Sequence, residues 1–291
     1  SDDFREVAKN IAKAGDKEWA KKTYEKAEEK TDDPYELYYL ARCICENLGD
    51  KEWAIKVYGK TEGKAKDWSQ FESLANDICE KLGDKDWGKK LYKKAEGKTK
   101  YFYEINQVAN SIHEKLGDKE WAIKLYQKAE KKAEDSSDLS SLASSIHEKL
   151  GDKDWAKKVY KKAEDKAEDY SSEENFSSLI DLAYCIHENL IDKKWTKEIY
   201  KKAELAAAKT ARVCDDFLNL ANDIHENLGD EKWAKKIYKK VELMAFHYNK
   251  QASSLFCSLA DSLIQGIGFG NIMHPISPQC VSVHQGVGRK Y

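Results

Sequence analysis

Apolar positions along the chain fall into two alternating signatures. The first is Leu-Ala-x-x-Ile with a later Leu, as in Leu74, Ala75, Ile78 and Leu82 or Leu142, Ala143, Ile146 and Leu150. Those offsets place one apolar stripe on a helix of about four turns. The second opens on tryptophan, with tyrosine five residues later and, in most copies, alanine three after that, as in Trp87, Tyr92 and Ala95. Those positions too share one face of a helix, and lysines occupy the other. Gly-Asp stands between the signatures at Gly15-Asp16, Gly49-Asp50, Gly83-Asp84, Gly117-Asp118, Gly151-Asp152 and Gly229-Asp230. Glycine ends the first helix in a left-handed cap and aspartate caps the start of the second, so each unit is predicted to be a helical hairpin.

The tryptophans of the second signature, Trp19, Trp53, Trp87, Trp121, Trp155, Trp195 and Trp233, are spaced by 34 residues four times, then by 40, then by 38. A hairpin of this kind cannot bury its own apolar face, but stacked neighbours create a continuous core once about three are present. Seven copies predict an all-α α-solenoid over residues 1–265. Residues 251–265 repeat the first-helix pattern through Leu259, Ala260 and Leu263 without a second helix, as a C-terminal capping helix does. The sixth copy has Ile191 in place of glycine and a longer acidic approach from Glu168 to Glu174, which predicts a local change of pitch. Residues 266–291 form a non-repeat tail. Its Gly266-Ile267-Gly268-Phe269-Gly270 and His274-Pro275-Ile276-Ser277-Pro278 cannot continue a helix, and its apolar residues are expected to pack back near Cys257.

With Val108, Ala109, Gly117, Ala122, Tyr126 and Ala129 at fixed offsets in the fourth unit, the hairpins resemble tetratricopeptide repeats. The phrase Tyr-x-Lys-Ala-Glu is also similar to the second helix of Sel1-like repeats and of the half-a-tetratricopeptide variant of RNA-processing scaffolds. The resemblance covers residues 4–265. It implies a right-handed superhelix whose first helices line a concave groove that holds extended peptides or partner helices. Two departures stand out. Most units carry one extra residue between the first-helix Ile and the turn glycine, as from Ile112 to Gly117, whereas the first unit, Ile11 to Gly15, has the family spacing. The proline that usually closes each repeat is missing.

Composition narrows the partner. Charged residues make up 35% of the chain, yet Lys plus Arg (50) nearly balances Asp plus Glu (52), so no field of one sign draws it to nucleic acid or an acidic membrane. No run approaches the ~18 apolar residues that a membrane span needs, and the start Ser1-Asp2-Asp3-Phe4 lacks the marks of a signal segment. Seven cysteines without a Cys-x-x-Cys pair indicate neither a disulfide framework nor a zinc ribbon. A soluble, cytoplasmic protein is expected.

Candidate chemistry is confined to the first helices. The positions opposite the apolar stripe include Tyr39, Arg42, Asn76, Asn110, Tyr184 and Asn222, the expected partner-binding groove. A ladder of Asn76, Asn110 and Asn222 offers donors and acceptors to an extended peptide backbone. The family's carboxylate-binding clamps, which the resemblance brings to mind, also need basic groove residues, and Arg42 is the only one in these columns. A second column, Cys45, Cys79, His113, His147, His187 and His225, each followed by Glu, has the chemistry of metal ligands. Equivalent residues of stacked hairpins are on the order of 10 Å apart, too far to converge on one ion, so these are expected to pack half-buried beside a solvated acidic ridge, with no metal or other cofactor. The second-helix lysines alternate with acids such as Glu96 and Glu130, which reads as charge pairing along the helix and disfavours nucleic acid. No phosphate loop, nucleophile elbow or His-Glu-x-x-His is present, and Cys280 and His284 lie in a tail too short to orient them. The expectation is a non-catalytic protein-interaction scaffold or adaptor within a larger complex. The alternatives are a subunit docking through its convex face and tail, and an RNA-processing scaffold.

Overall fold

The computed structural model describes residues 2–167, 172–209 and 213–244. All regular structure among them is helical: α1 (Asp2–Lys13), α2 (Lys17–Glu29), α3 (Pro34–Cys43), α4 (Lys51–Lys64), α5 (Trp68–Asp77), α6 (Lys85–Lys98), α7 (Phe102–Ser111), α8 (Lys119–Glu130), α9 (Ser136–Ser145), α10 (Lys153–Ala167), α11 (Ser172–Leu190), α12 (Lys193–Ala207), α13 (Val213–Asp223) and α14 (231–244). Odd-numbered helices are the first members of hairpins and even-numbered helices the second, and each hairpin packs on the next as an α-solenoid. The chain divides into two compact units, Ser1–Tyr238 and Lys239–Tyr291. The expected capping helix, the boundary at 265 and the contact of the tail with Cys257 lie outside the described residues.

The Gly-Asp junctions act as their sequence predicts. The turn glycines take left-handed φ values, from +65° at Gly229 to +99° at Gly15, and the aspartates accept from the tryptophan amide three residues on, as Asp16 does from Trp19 at 2.9 Å and Asp84 from Trp87 at 2.9 Å. A cap of this kind stabilises a helix by about 1 kcal/mol. In the sixth hairpin Ile191 occupies the left-handed position at φ 55°, where Cβ crowds the following carbonyl.

The extra residue of units two to five and seven is absorbed by a π-helical turn that closes the first helix, at Ile44–Leu48, Ile78–Leu82, Ile112–Leu116, Ile146–Leu150 and Ile224–Leu228. An inserted residue that widens one turn leaves the register on either side intact. The first unit, which lacks the insertion, has no such turn, and the sixth runs as α-helix to Leu190.

The core repeats with the sequence. Tyr24, Tyr58, Tyr92, Tyr126, Tyr160 and Tyr200 are fully buried, as are the first-helix residues Ala41, Ile44, Leu74, Ala75, Ile78, Leu142, Ala143 and Ile146. Gly88 stands where Ala20, Ala54 and Ala122 stand elsewhere, and a Cβ there would lie 2.1 Å from Cys79 Sγ. The missing methyl makes room for the one cysteine of its column that is buried.

A second device joins the hairpins. The glutamate closing each of the first six second-helix phrases, Tyr-x-Lys-Ala-Glu in all but the second, where Thr61 replaces alanine, accepts from the indole Nε1 of the next hairpin's tryptophan: Glu28 from Trp53 at 2.7 Å, Glu62 from Trp87 at 2.7 Å, Glu96 from Trp121 at 2.9 Å, Glu130 from Trp155 at 3.1 Å, Glu164 from Trp195 at 3.1 Å and Glu204 from Trp233 at 3.0 Å. In Glu28, Glu62, Glu130 and Glu164 the other oxygen takes a lysine of that same hairpin, as Glu62 takes Lys94 at 2.7 Å and Glu130 takes Lys162 at 2.7 Å. Burial pushes the Glu62 carboxyl up, but the hydrogen bonds from Lys94 and Trp87 outweigh it and hold it below the usual carboxylate range. Lys21, Lys89, Lys157 and Lys197 complete the joint. Each lies over the next tryptophan ring at 5.5 to 5.8 Å and pairs with the capping aspartate beside it, as Lys89 does with Asp118 at 3.0 Å. These charges, expected to pair along their own helix, pair instead between hairpins.

Candidate partner-binding face

From α1 to α11, successive first helices pack directly on one another, and more extensively than successive second helices do. The side of the first helices turned away from the second helices, where the groove is expected, is termed the inner face. Three columns at offsets of four and three residues run along this face. One is Tyr35, Ser69, Tyr103, Ser137, Ser177 and Asp215; the next Tyr39, Ser73, Gln107, Ser141, Asp181 and Asn219; the third Arg42, Asn76, Asn110, Ser144, Tyr184 and Asn222.

The asparagines of the third column serve the interior as well as the surface. A second-helix tyrosine turned away from solvent must place its hydroxyl on a partner, and in three hairpins the asparagine sixteen residues before it supplies one. Tyr92 donates to Asn76 Oδ1, Tyr126 to Asn110 Oδ1 at 2.6 Å and Tyr238 to Asn222 Oδ1 at 2.7 Å. Asn76 also donates to the buried Glu72 at 2.8 Å, and Glu72 accepts from Ser111 as well. Asn110 reaches Ser145 at 3.5 Å. One acceptor site of each amide in the Asn76, Asn110 and Asn222 ladder is thus taken by tyrosine. Arg42 is likewise engaged: Nε donates to Glu46 at 3.1 Å, and Glu46 also holds Lys81 at 2.6 Å. The Glu46 bond, together with the nearby Asp77 carboxyl, holds the guanidinium above its ordinary range against the cost of its burial.

Aromatic residues gather at one end of the face. Tyr35 and Tyr39 on α3 are 50% and 45% exposed, and Tyr101 and Tyr103 at the start of α7 are 60% and 59% exposed. Tyr101 and Tyr103 stack with ring centroids 6.2 Å apart and planes 5° apart, and Tyr103 meets Trp68 of α5 edge-on at 6.1 Å. Tyr38 meets Tyr39 edge-on at 5.1 Å, and a cleft lined by Tyr35, Tyr38, Tyr39, Gln70 and Ser73 opens between α3 and α5. Small residues on α5, Ser69 and Ser73, lie between the two tyrosine-bearing helices and form the floor of a trough. Sequence reasoning named Tyr39 here and missed Tyr35, Trp68, Tyr101 and Tyr103. The available signals were the Tyr35, Tyr39, Arg42 periodicity and the one tryptophan outside the repeated phrase.

Toward the other end the face becomes acidic. Asp181, Asp215, Glu188 and Glu226 are exposed, and burial together with the charges of Glu226 and Asp181 pushes the Asp223 carboxyl up. Tyr184, 54% exposed, and Asn222 stand in this region, away from the aromatic trough. The glutamate column next to it is a solvated ridge only in part: Glu46, Glu80 and Glu114 pair with Lys81, Lys115 and Lys149 of the next hairpin at 2.6 to 2.7 Å. In later hairpins Asn189 and Asn227 stand in the lysine position and turn inward to Tyr160 and Tyr200 at 2.9 and 2.8 Å.

Cys45, His113, His147 and His187 are half-buried, Cys79 is buried and His225 exposed. Among the described residues no three His, Cys, Asp or Glu side chains gather where one ion could be held. The five cysteines within them carry free thiols, and burial pushes those of Cys43, Cys45, Cys79 and Cys185 up, which keeps them poor nucleophiles. Among the described residues no helix is long and apolar enough to cross a membrane.

No family model matches the chain, and no curated protein matches it. Among solved structures, the C-terminal part of a TPR repeat-containing protein from Cytophaga hutchinsonii is similar at 18% identity, with 81% of this chain and 93% of that one covered and a TM-score of 0.40. The α-solenoid assignment rests on the hairpins themselves.

Proposed function

We propose that the chain is a non-catalytic scaffold or adaptor that holds a segment of a partner protein along the inner face of its second to fourth hairpins. The observation that carries this reading is the trough itself: four half-exposed tyrosines and Trp68 around a serine floor, on a face whose later hairpins, Tyr184 apart, present serines, amides and acids. Rigid aromatic rings supply large contact area at small entropic cost, and exposed clusters of them mark binding surfaces. The remaining amide hydrogens of Asn110 and Asn222 and the acidic stretch beyond favour a segment with apolar side chains at one end and basic ones at the other.

The test replaces Tyr35, Tyr39 and Tyr103 together with alanine. The asparagines are the wrong targets, because their loss strands buried tyrosine hydroxyls. Partners captured from the source lysate by the native chain are identified, and the affinity of the leading one is then measured by calorimetry for both proteins. A loss of affinity of at least tenfold with unchanged helix content supports the trough. Unchanged affinity moves the interface to the convex face, as in a subunit docked through its outer side. Stacked aromatics also bind single-stranded RNA, so oligonucleotide affinity with a steep salt dependence, lost in the same variant, would replace the protein partner with RNA.

A further inference from the structure

The aromatic trough restricts the conformation of its occupant as well as its polarity. Its rings are held by neighbours before any partner arrives. Tyr39 meets Tyr38 edge-on at 5.1 Å and has the Arg5 guanidinium 5.0 Å from its ring centroid. Tyr103 meets Tyr101 and Trp68, and its hydroxyl donates to Glu104 at 3.4 Å. Rings fixed in this way lose little entropy on binding, and they present apolar area together with hydroxyl donors.

The stacking of the hairpins sets the repeat of whatever lies along these rings. Tyr35, Ser69 and Tyr103 occupy one position on α3, α5 and α7, and Tyr39, Ser73 and Gln107 the next. First helices that pack directly on one another have axes about 8–10 Å apart. A polyproline II chain turns once in three residues and rises about 9.3 Å in doing so, so its residues i, i+3 and i+6 meet α3, α5 and α7 in turn. Residues i and i+6 then fall on tyrosines, and i+3 falls on the serine floor. A β-strand covers the same step in about three residues, but alternate residues point to opposite faces, so i and i+3 cannot both turn to the protein. An α-helix covers it in about seven residues and spends its carbonyls on internal hydrogen bonds, which leaves the donors of the trough unused.

Size, hydrogen bonding and charge select proline. The cleft among Tyr35, Tyr38, Tyr39, Gln70 and Ser73 has a volume of about 50 Å³, room for a few waters and so for one small ring. An oligoproline backbone has carbonyl acceptors and no N–H, so it asks only donors of its site, and tyrosine, serine and glutamine side chains supply them. Of the residues that the three columns place on α3, α5 and α7, Arg42 alone is charged, and Glu46 engages it at 3.1 Å. An uncharged segment complements such a strip.

We infer that the occupant of the trough is an uncharged, proline-rich segment of about seven residues in the polyproline II conformation, laid across α3, α5 and α7. This rests on the reading of the trough as the partner site.

Calorimetric titration of the full chain with oligoprolines of about four and about seven residues tests the inference. The longer peptide spans α3 to α7 and is expected to bind saturably, at least tenfold more tightly than the shorter one. A glycine–serine peptide of equal length is expected not to bind. Tyr35→Ala and Tyr103→Ala, at the two ends of the strip, are each expected to weaken the longer peptide at least tenfold with unchanged circular dichroism. Absence of saturable binding by the longer peptide overturns the inference, as does an affinity indifferent to length or unchanged in both variants. The partner captured from lysate separates that failure from failure of the site. If its affinity still falls in the Tyr35, Tyr39 and Tyr103 alanine variant, the trough is the partner site and its occupant has another conformation. If that affinity is also unchanged, both readings fall.

Discussion

At the scale of single residues, the polar groups of the inner face hold the interior as much as they face solvent. Asp77 is the clearest instance. It is buried, accepts from the Tyr58 hydroxyl at 3.1 Å and faces Tyr38 and Arg42. Burial pushes its carboxyl up, and Arg42 offsets this only in part. An acid whose folded pKa is raised costs nothing while both states are protonated, and its cost grows as pH rises past the unfolded value of about 4. Asp77→Asn keeps an acceptor for Tyr58 and removes the charge. It is expected to match the wild type near pH 3 and to exceed it in urea-unfolding midpoint at pH 7. Asp77→Leu leaves the Tyr58 hydroxyl without that acceptor and is expected to lose about 1–3 kcal/mol at either pH. A wild type more stable than Asp77→Asn at pH 7 would show that the Arg42 interaction outweighs burial.

At the scale of the element, each hairpin is specified by the agreement of period, cap and turn, and the sixth departs from that agreement. Ile191 is β-branched and left-handed, with φ 55°, and its side chain is 72% exposed, so almost no packing offsets the strain. Replacing it with glycine, as in the other hairpins, is expected to raise stability by about 1 kcal/mol, seen as a higher midpoint of thermal unfolding. Lowered stability would mean that the added backbone freedom of glycine outweighs the relief. The same comparison shows what was legible in the sequence. The hairpins, their caps and the anomaly at Ile191 could be read because each is a local pattern. The extra residue between Ile112 and Gly117 was also visible, but widening a turn and lengthening a loop both accommodate an insertion, and only the backbone distinguishes them. The partners of Asn76 and Asn110 were hidden because their tyrosines arrive from the second helix, sixteen residues later. The glutamate that precedes the next tryptophan by 25 residues in most units recurs as regularly as any other mark. It passed for surface charge because its partner belongs to a neighbouring hairpin, and no helical period relates the two.

At the scale of the whole molecule, those joints make stability a property of neighbours. In a linear array each hairpin is stabilised by its own fold and by the interfaces on either side, so one substitution should cost different amounts according to how many interfaces it touches. Trp19 and Trp121 test this because they share a place in the repeat and differ in context. Trp121 is half-buried, donates to Glu96 at 2.9 Å and lies under Lys89 at 5.8 Å, whereas Trp19 is 61% exposed and lacks a preceding hairpin in the described structure. Trp121→Ala removes ring burial, the indole hydrogen bond and the cation contact together and is expected to cost about 2–4 kcal/mol. Its lesion at the middle of the array should also split one cooperative unfolding transition into two as the halves uncouple. Trp19→Ala is expected to cost under about 1 kcal/mol in dilute solution and to leave a single transition. Hydrogen exchange resolved by segment distinguishes the two cases, because loss of protection should spread outward from α8 in the first variant and stay within α1 and α2 in the second. Equal costs at the two sites would mean that the tryptophan stabilises its own hairpin and that the joint to the preceding one contributes little.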